Sequence, residues 1–312
     1  MQNQLTQTLD PIDEVDGYLV KRGDAFRLGP HVGSKVRQCL HVVGGRLHQI
    51  RHEHNNGICT GAGLPSPQTA IVAGVAKHFG LRCAVTTPWF PDDTIDVNRV
   101  NASLAQRDGA DVYGVGNPNP SGYSRDVQEI VRETGFFQVR FGMCGTEAMQ
   151  PVQRQVANVP ETVEQIVVVA GSGLTALGVM SGLAEHQKPV KRVFVVALSG
   201  HFESNRRSWY EPLASAQKFS GDVVAIQSPH AYRKLIKHTP WDWTYESKAW
   251  LWMRENIPAN GKTLFWVVGS RCYDLSMIEP IRWRFTKHEQ VLRAARHRKR
   301  NTSTGSVLSP PD

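Results

Sequence analysis

No stretch of the 312 residues approaches the ~20 consecutive apolar positions that a membrane-spanning helix needs, so no membrane partner is expected. The opening segment, Met1 to Asp16, is polar and acidic and lacks the apolar core of a signal peptide. Cysteine is scarce: Cys39, Cys59, Cys83, Cys144 and Cys272 are scattered, odd in number and never spaced CxxC. That pattern excludes a disulfide framework and a zinc ribbon, and favours a reducing, cytoplasmic setting. There is no HExxH, and no repeat of solenoid length. His48 and His52 stand one helical turn apart, with His41 and His54 nearby, but no carboxylate follows at ligand spacing, so a solvated polar face is expected and no metal.

Charge is unevenly spread. The net formal charge is +8, and residues 281 to 312 alone contribute +6: Arg282, Arg284, Lys287, Arg293, Arg296, Arg298, Lys299 and Arg300 against Glu289 and Asp312. A run of that kind is either a solvated, frayed terminus or a contact for nucleic acid or an acidic partner. Asn301 to Asp312, rich in Ser, Thr and Pro, is expected to be disordered.

Between the ends, apolar runs alternate with helix-compatible segments. Strands are expected at Gly57–Gly61, Leu81–Thr87, Ala110–Val115, Val163–Ala170, Arg192–Leu198, Val223–Gln227 and Thr263–Val268. Helices are expected at Pro67–Phe79, Val97–Asp108, Ser124–Thr134, Thr175–Glu185 and Tyr245–Glu255. Strands separated by ten to fifteen helical residues imply βαβ units and parallel sheets, hence an α/β fold, and the length suggests two domains.

The strand Val163–Ala170 empties into Gly171-Ser172-Gly173-Leu174-Thr175-Ala176, and a helix-compatible segment follows. Small residues at such a turn let backbone N–H groups converge on an anion, and the helix adds its positive end. A phosphate-bearing ligand is the first expectation. The spacing Gly171-x-Gly173-x-x-Ala176 fits a dinucleotide fingerprint, but the next strand, Arg192–Leu198, runs into Ser199-Gly200 without the carboxylate that would hold a ribose hydroxyl.

The other phosphate-bearing class is pyridoxal phosphate. Near the N-terminus stand Lys21-Arg22-Gly23-Asp24 and then Gly33-Ser34-Lys35-Val36-Arg37. A lone lysine is ordinarily a solvated surface residue, so Lys35 gains weight only from its company. Ser66-Pro67-Gln68-Thr69, Gly171-Ser172-Gly173-Leu174-Thr175-Ala176-Leu177-Gly178, Tyr245-Glu246-Ser247-Lys248-Ala249-Trp250 and the strand Leu264 to Ser270 follow in order. Together these segments resemble the tryptophan-synthase-β-like, fold type II pyridoxal-phosphate enzymes. Within them, the chain is most similar to the branch of aminocyclopropane-carboxylate deaminase and D-cysteine desulfhydrase. The resemblance spans about residues 15 to 275.

The resemblance implies two parallel-sheet α/β domains with the cofactor in the cleft between them. The larger domain would comprise residues 1–45 and 155–280, the smaller one 46–154, and residues 281–312 would form a basic, partly disordered tail. It implies that Lys35 forms the Schiff base with pyridoxal 5'-phosphate and that Tyr245 faces the substrate. Gly171, Ser172, Gly173, Leu174 and Thr175 would cradle the phosphate, Ser270 would meet the ring nitrogen, and Ser66, Gln68 and Thr69 would face the substrate carboxylate. The chain departs from the family at Pro67, where an asparagine usually bonds the ring hydroxyl, and at Ser34, Gly23 and Val268-Gly269-Ser270. Proline offers neither a side-chain donor nor an N–H. The expected activity is that of a lyase, deaminase or β-replacement enzyme acting on a small amino acid as a homodimer, diverged from the standard family reaction. Two rivals remain open: a pyridoxal enzyme of nucleic-acid modification, and a non-catalytic relative that keeps the fold.

Overall fold

A computed structural model describes residues 7–90, 99–116, 120–198, 219–230, 234–269 and 275–294, with residues 120–123 described by their backbone alone. In chain order the elements begin with β1 (Ile12–Val15), β2 (Tyr18–Arg22), the short pair β3 (Arg27–Leu28) and β4 (His31–Val32), α1 (Ser34–Gly45) and α2 (Leu47–Glu53). Then come β5 (Gly57–Gly61), α3 (Gln68–Phe79), β6 (Arg82–Pro88), α4 (Arg99–Arg107), β7 (Asp111–Val115), α5 (Pro120–Thr134) and β8 (Phe137–Gln138). The remainder is α6 (Thr146–Gln155), β9 (Gln165–Ala170), α7 (Leu174–Glu185), β10 (Arg192–Ala197), β11 (Asp222–Gln227), α8 (Glu246–Asn256) and β12 (Thr263–Val267).

The chain divides into two units: residues 1–48 with 139–273, and residues 49–138 with 274–312. The first unit is built on a sheet ordered β1-β2-β12-β9-β10-β11, parallel throughout except for the β1–β2 hairpin. Its strands are near-continuous apolar runs because helices cover a parallel sheet on both faces. Ile166, Val167, Val168, Leu264 and Phe265 have no exposed surface. One cluster packs Val167 and Phe265 against Trp241, Trp250 and Met253. Helix α6 packs on α7 with almost no gap: a Cβ on Gly178 would stand 2.7 Å from that of Val152, and one on Gly182 2.6 Å from a methyl of Val156. That contact joins α6 to the first unit, ahead of residue 155, where the sequence reading resumes the larger domain.

The second unit carries a wholly parallel sheet, β7-β6-β5-β8. Residues 281–294 are not a loose tail. Arg284 bridges Tyr113 of β7, and its N–H donates to Val112 O while its carbonyl accepts from Gly114 N–H. Residues 287–294 are helical. Residues 295–312, which hold the basic run Arg296 to Arg300, lie outside the described residues. Among the described residues no helix is long and apolar enough to cross a membrane.

Candidate functional site

In the first unit the chain leaves β9 toward β10 on one side and returns through β12 on the other. The carboxyl ends of β9 and β12 therefore flank a topological switch point, the place where open parallel sheets receive ligands. The segments that follow these two strands are Gly171–Thr175 and Val268–Gly269, both singled out by the sequence. Ser270, expected at the ring nitrogen, lies outside the described residues.

Gly173 sits at φ 92°, ψ −8°, a left-handed conformation natural to glycine, and forms the N-cap of α7. No side chain caps this helix start. Its first-turn N–H groups and its dipole are therefore presented to a ligand, the arrangement that binds a phosphate. Leu174 and Thr175 are buried in the first turn. Gly171 lies under the ring of Tyr245, so close that a Cβ there would stand 3.1 Å from Cε1. Ser172 packs against Gly142, where a Cβ would come within 2.7 Å of the serine's own.

Lys35 is the second residue of α1. The start of this helix is fixed from outside, because Ser34 donates both its backbone N–H and its hydroxyl to Val268 O, each at 2.6 Å. The Lys35 ammonium lies 6.0 Å from the centre of the Tyr245 ring. It is half-buried, and burial lowers its pKa against the opposing fields of Cys144, Glu246 and Asp242. Desolvation thus makes the neutral amine, a nucleophile and base, more accessible than in an ordinary lysine.

Two residues that the sequence reading passed over belong to this cluster. Glu246, fully buried at the start of α8, accepts from the N–H groups of Val268 and Gly269 through Oε1, at 3.0 and 3.1 Å. Its Oε2 is buried without a hydrogen-bond partner. Burial, reinforced by the Asp242 carboxylate, raises the Glu246 pKa well above the usual range. In the sequence an acid in a helix's first turn reads as a solvated residue favoured by the dipole, and only its place within the Tyr245–Trp250 motif marked it. Cys144 is the second, with burial pushing its thiol up to about 12 while the Lys35 charge works the other way. Lys248, the other lysine of that motif, has no exposed surface.

Ser66, Gln68 and Thr69 belong to the second unit, in the loop after β5 and the start of α3. All three are buried. The Ser66 hydroxyl accepts from Gln68 N–H at 3.3 Å, and the Gln68 amide donates to Thr60 Oγ1 of β5 at 2.7 Å. Pro67 is the N-cap of α3, at φ −74°. His41 meets Gln150, and His54 meets the carbonyl of Gly135. Among the described residues no group of three potential ligands could hold a metal ion.

No family model matches the chain. It is 21% identical over 328 aligned positions to the O-seryl-dTMP PLP-dependent decarboxylase of Salmonella phage ViI, covering 80% of this chain and 74% of that protein. It is 26% identical over 245 positions to 1-aminocyclopropane-1-carboxylate deaminase of Burkholderia vietnamiensis, covering 68% and 71%. The fold superposes on the crystal structure of an ACC deaminase homologue with a TM-score of 0.67 at 17% identity, over 85% of this chain and 90% of that one.

Proposed function

Because the chain has the fold of the tryptophan-synthase-β-like, fold type II pyridoxal-phosphate enzymes, we propose that it is a pyridoxal-phosphate-dependent enzyme acting at the α-carbon of an amino acid. The observation that carries this reading is the convergence, at one carboxyl edge, of a desolvated lysine and an uncapped glycine-turn helix N-terminus. The residues fit the group. Gly171, Ser172, Gly173, Leu174 and Thr175 would hold the phosphate on backbone N–H groups, and Lys35 would supply the amine for the cofactor's aldehyde. The buried Oε2 of Glu246, without a hydrogen-bond partner, would be available to the cofactor's ring nitrogen, the role that the sequence assigns to Ser270.

Bound there, pyridoxal phosphate supplies an electron sink for charge developing at the α-carbon. The protein's part is positional and acid–base. Lys35 would be the base that takes and returns a proton at the substrate's α-carbon. Tyr245 covers one side of the lysine and closes on Gly171, and Glu246 would set the charge near the cofactor's ring. Ser66, Gln68 and Thr69 are the residues proposed for the substrate carboxylate. Among reactions, a lyase, deaminase or β-replacement chemistry is the reading supported by the deaminase and decarboxylase relatives. Purified protein given pyridoxal phosphate should turn yellow, and borohydride should fix the adduct on the Lys35 peptide. An adduct on Lys248 instead would sink the assignment.

A second reading is favoured by the phage relative, whose substrate is a seryl group carried on a nucleotide. On that reading the amino acid acted on here is attached to a nucleotide. Mass spectrometry of an amino-acid panel alongside O-seryl-thymidine nucleotide separates the two: loss of carbon dioxide or ammonia from the nucleotide alone supports the second. Efficient turnover of aminocyclopropane-carboxylate or D-cysteine would instead show that the Pro67 and Ser34 departures leave the standard activity intact.

A further inference from the structure

Two buried carboxyl groups stand four residues apart at the start of α8, within the first unit. Asp242 is 2% exposed, and Glu246 has no exposed surface. Asp242 is fixed by a turn ahead of the helix. Its Oδ1 accepts from the N–H groups of Thr244 and Tyr245 at 2.8 and 2.9 Å, and its carbonyl accepts from Ser247 N–H at 3.0 Å. Glu246 is satisfied on one side only: Oε1 takes the N–H groups of Val268 and Gly269, while Oε2 is buried with no hydrogen-bond partner. An anionic oxygen in that position carries an uncompensated desolvation cost, whereas a protonated one is a donor that a ligand can use. Burial, and then the Asp242 carboxylate, raise the Glu246 pKa against the pull of the Gly269 and Val268 N–H groups. Tyr245 and Lys248 flank Glu246 along α8, and Lys35 of α1 feels the fields of both carboxyls. Arg22 of β2 lies over the Trp241 ring at 5.7 Å and is bonded to Asp24 and Asp13.

We propose that Asp242 is a positioning residue for the cofactor's ring: its fixed carboxylate keeps the proton on Glu246, so that Oε2 meets the ring nitrogen as a hydrogen-bond donor. Two neighbouring buried carboxyls ionise together only at high cost, so the pair retains one proton, and the open oxygen marks Glu246 as its holder. A ring nitrogen bonded by a neutral acid carries less positive charge than one facing a carboxylate. Asp242 thereby sets how strongly the bound ring draws electrons from the α-carbon. The proposal rests on the pyridoxal-phosphate reading above and adds to it the residue that fixes the charge state of its acid.

The test is infrared spectroscopy of the full chain across pH, before and after pyridoxal phosphate is added. At pH 7, where an ordinary glutamate of pKa ~4.3 is ionised, the wild type without cofactor should show the carbonyl stretch of a protonated acid. The difference spectrum against Glu246→Gln assigns that band. Asp242→Asn keeps the turn and removes the charge, so the band should titrate away at lower pH than in the wild type. If this variant does not fold, Asp242→Ser, which makes the same turn, takes its place. After loading, the absorbance of the bound cofactor should shift in the Asp242 variant while borohydride still traps it on Lys35. No band in the difference spectrum at pH 7, or a band that titrates alike with and without the Asp242 charge, overturns the proposal. Normal trapping with an unmoved band removes Asp242 alone. Trapping on another lysine, with the band moving as expected, removes the cofactor reading and leaves the carboxyl pair.

Discussion

Gly33 and Gly269 touch backbone to backbone: a Cβ on Gly269 would stand 2.4 Å from the Gly33 Cα, and one on Gly33 would stand 2.6 Å from the Gly269 Cα. Both have positive φ, 104° and 147°. The contact joins the residue two places before Lys35 to the end of β12, and so ties the lysine to the sheet edge that holds Glu246.

Gly269→Ala should therefore destabilise the protein by more than the roughly 1–3 kcal/mol of backbone strain alone, because the clash is with backbone that cannot swing aside. Trapping at Lys35 should fall with it. Gly29→Ala is the control: φ is also positive, at 57°, but nothing stands within 4 Å of its added Cβ. Thermal unfolding of the two variants should rank Gly269→Ala well below Gly29→Ala, and equal melting temperatures would refute the contact's importance.

Asp10 and Arg37 form a two-pronged ion pair, nearly without exposure, on the helix that carries Lys35. Gln155 and Asn158 complete it by meeting the Asp10 backbone. Breaking such a pair leaves a buried charge uncompensated, so Asp10→Ala should cost about 3–5 kcal/mol in urea denaturation. The double variant Asp10→Leu with Arg37→Met should recover much of that loss.

Lys21, buried beneath this pair, has its pKa lowered to about 8, chiefly by desolvation and against the pull of Asp10. Its ammonium donates to Asp10 O and to Asn158 Oδ1. Below pH 8 the folded protein bears the cost of a buried charge. Between pH 8 and the unfolded lysine value of about 10.4 the unfolded chain binds more protons, so this residue's contribution to stability grows as pH rises. The difference in unfolding free energy between wild type and Lys21→Met should shift in the wild type's favour across that window. A pH-independent difference would contradict the lowered pKa.

Gly173→Asp should abolish tight binding of pyridoxal phosphate. It places a carboxylate at the helix end that receives the phosphate, and it forces a left-handed residue to carry a side chain. Absorbance titration should show the loss while circular dichroism keeps its α/β signature. Tight NAD binding by the unmutated protein would overturn the phosphate reading altogether.

Most of the alternation was legible in sequence because parallel strands buried on both faces are plain apolar runs. Gly57–Gly61 is a strand as expected, and Arg192–Ala197 and Thr263–Val267 end within a residue of their expected bounds. β2 was missed for a physical reason. Tyr18–Arg22 ends in Lys-Arg, a pair that reads as solvated, and only the fold supplies the Asp10 and Asn158 oxygens that allow Lys21 to be buried. The start of α1 was likewise invisible, since its first N–H is satisfied by Val268, 234 residues away, rather than by a local cap.

The sequence by itself determined the α/β class and the glycine turn after an apolar strand, and it singled out Lys35 as the candidate lysine, because each depends on local pattern or on motifs in order. Only the tertiary structure decided that Glu246 is a buried acid with an open oxygen, that Cys144 stands near Lys35, and that residues 281–294 add to the edge of β7. These depend on burial and on contacts between segments far apart in the chain. A residue's type sets its charge and size, but whether water still reaches it is settled only when the sheets and helices close around it.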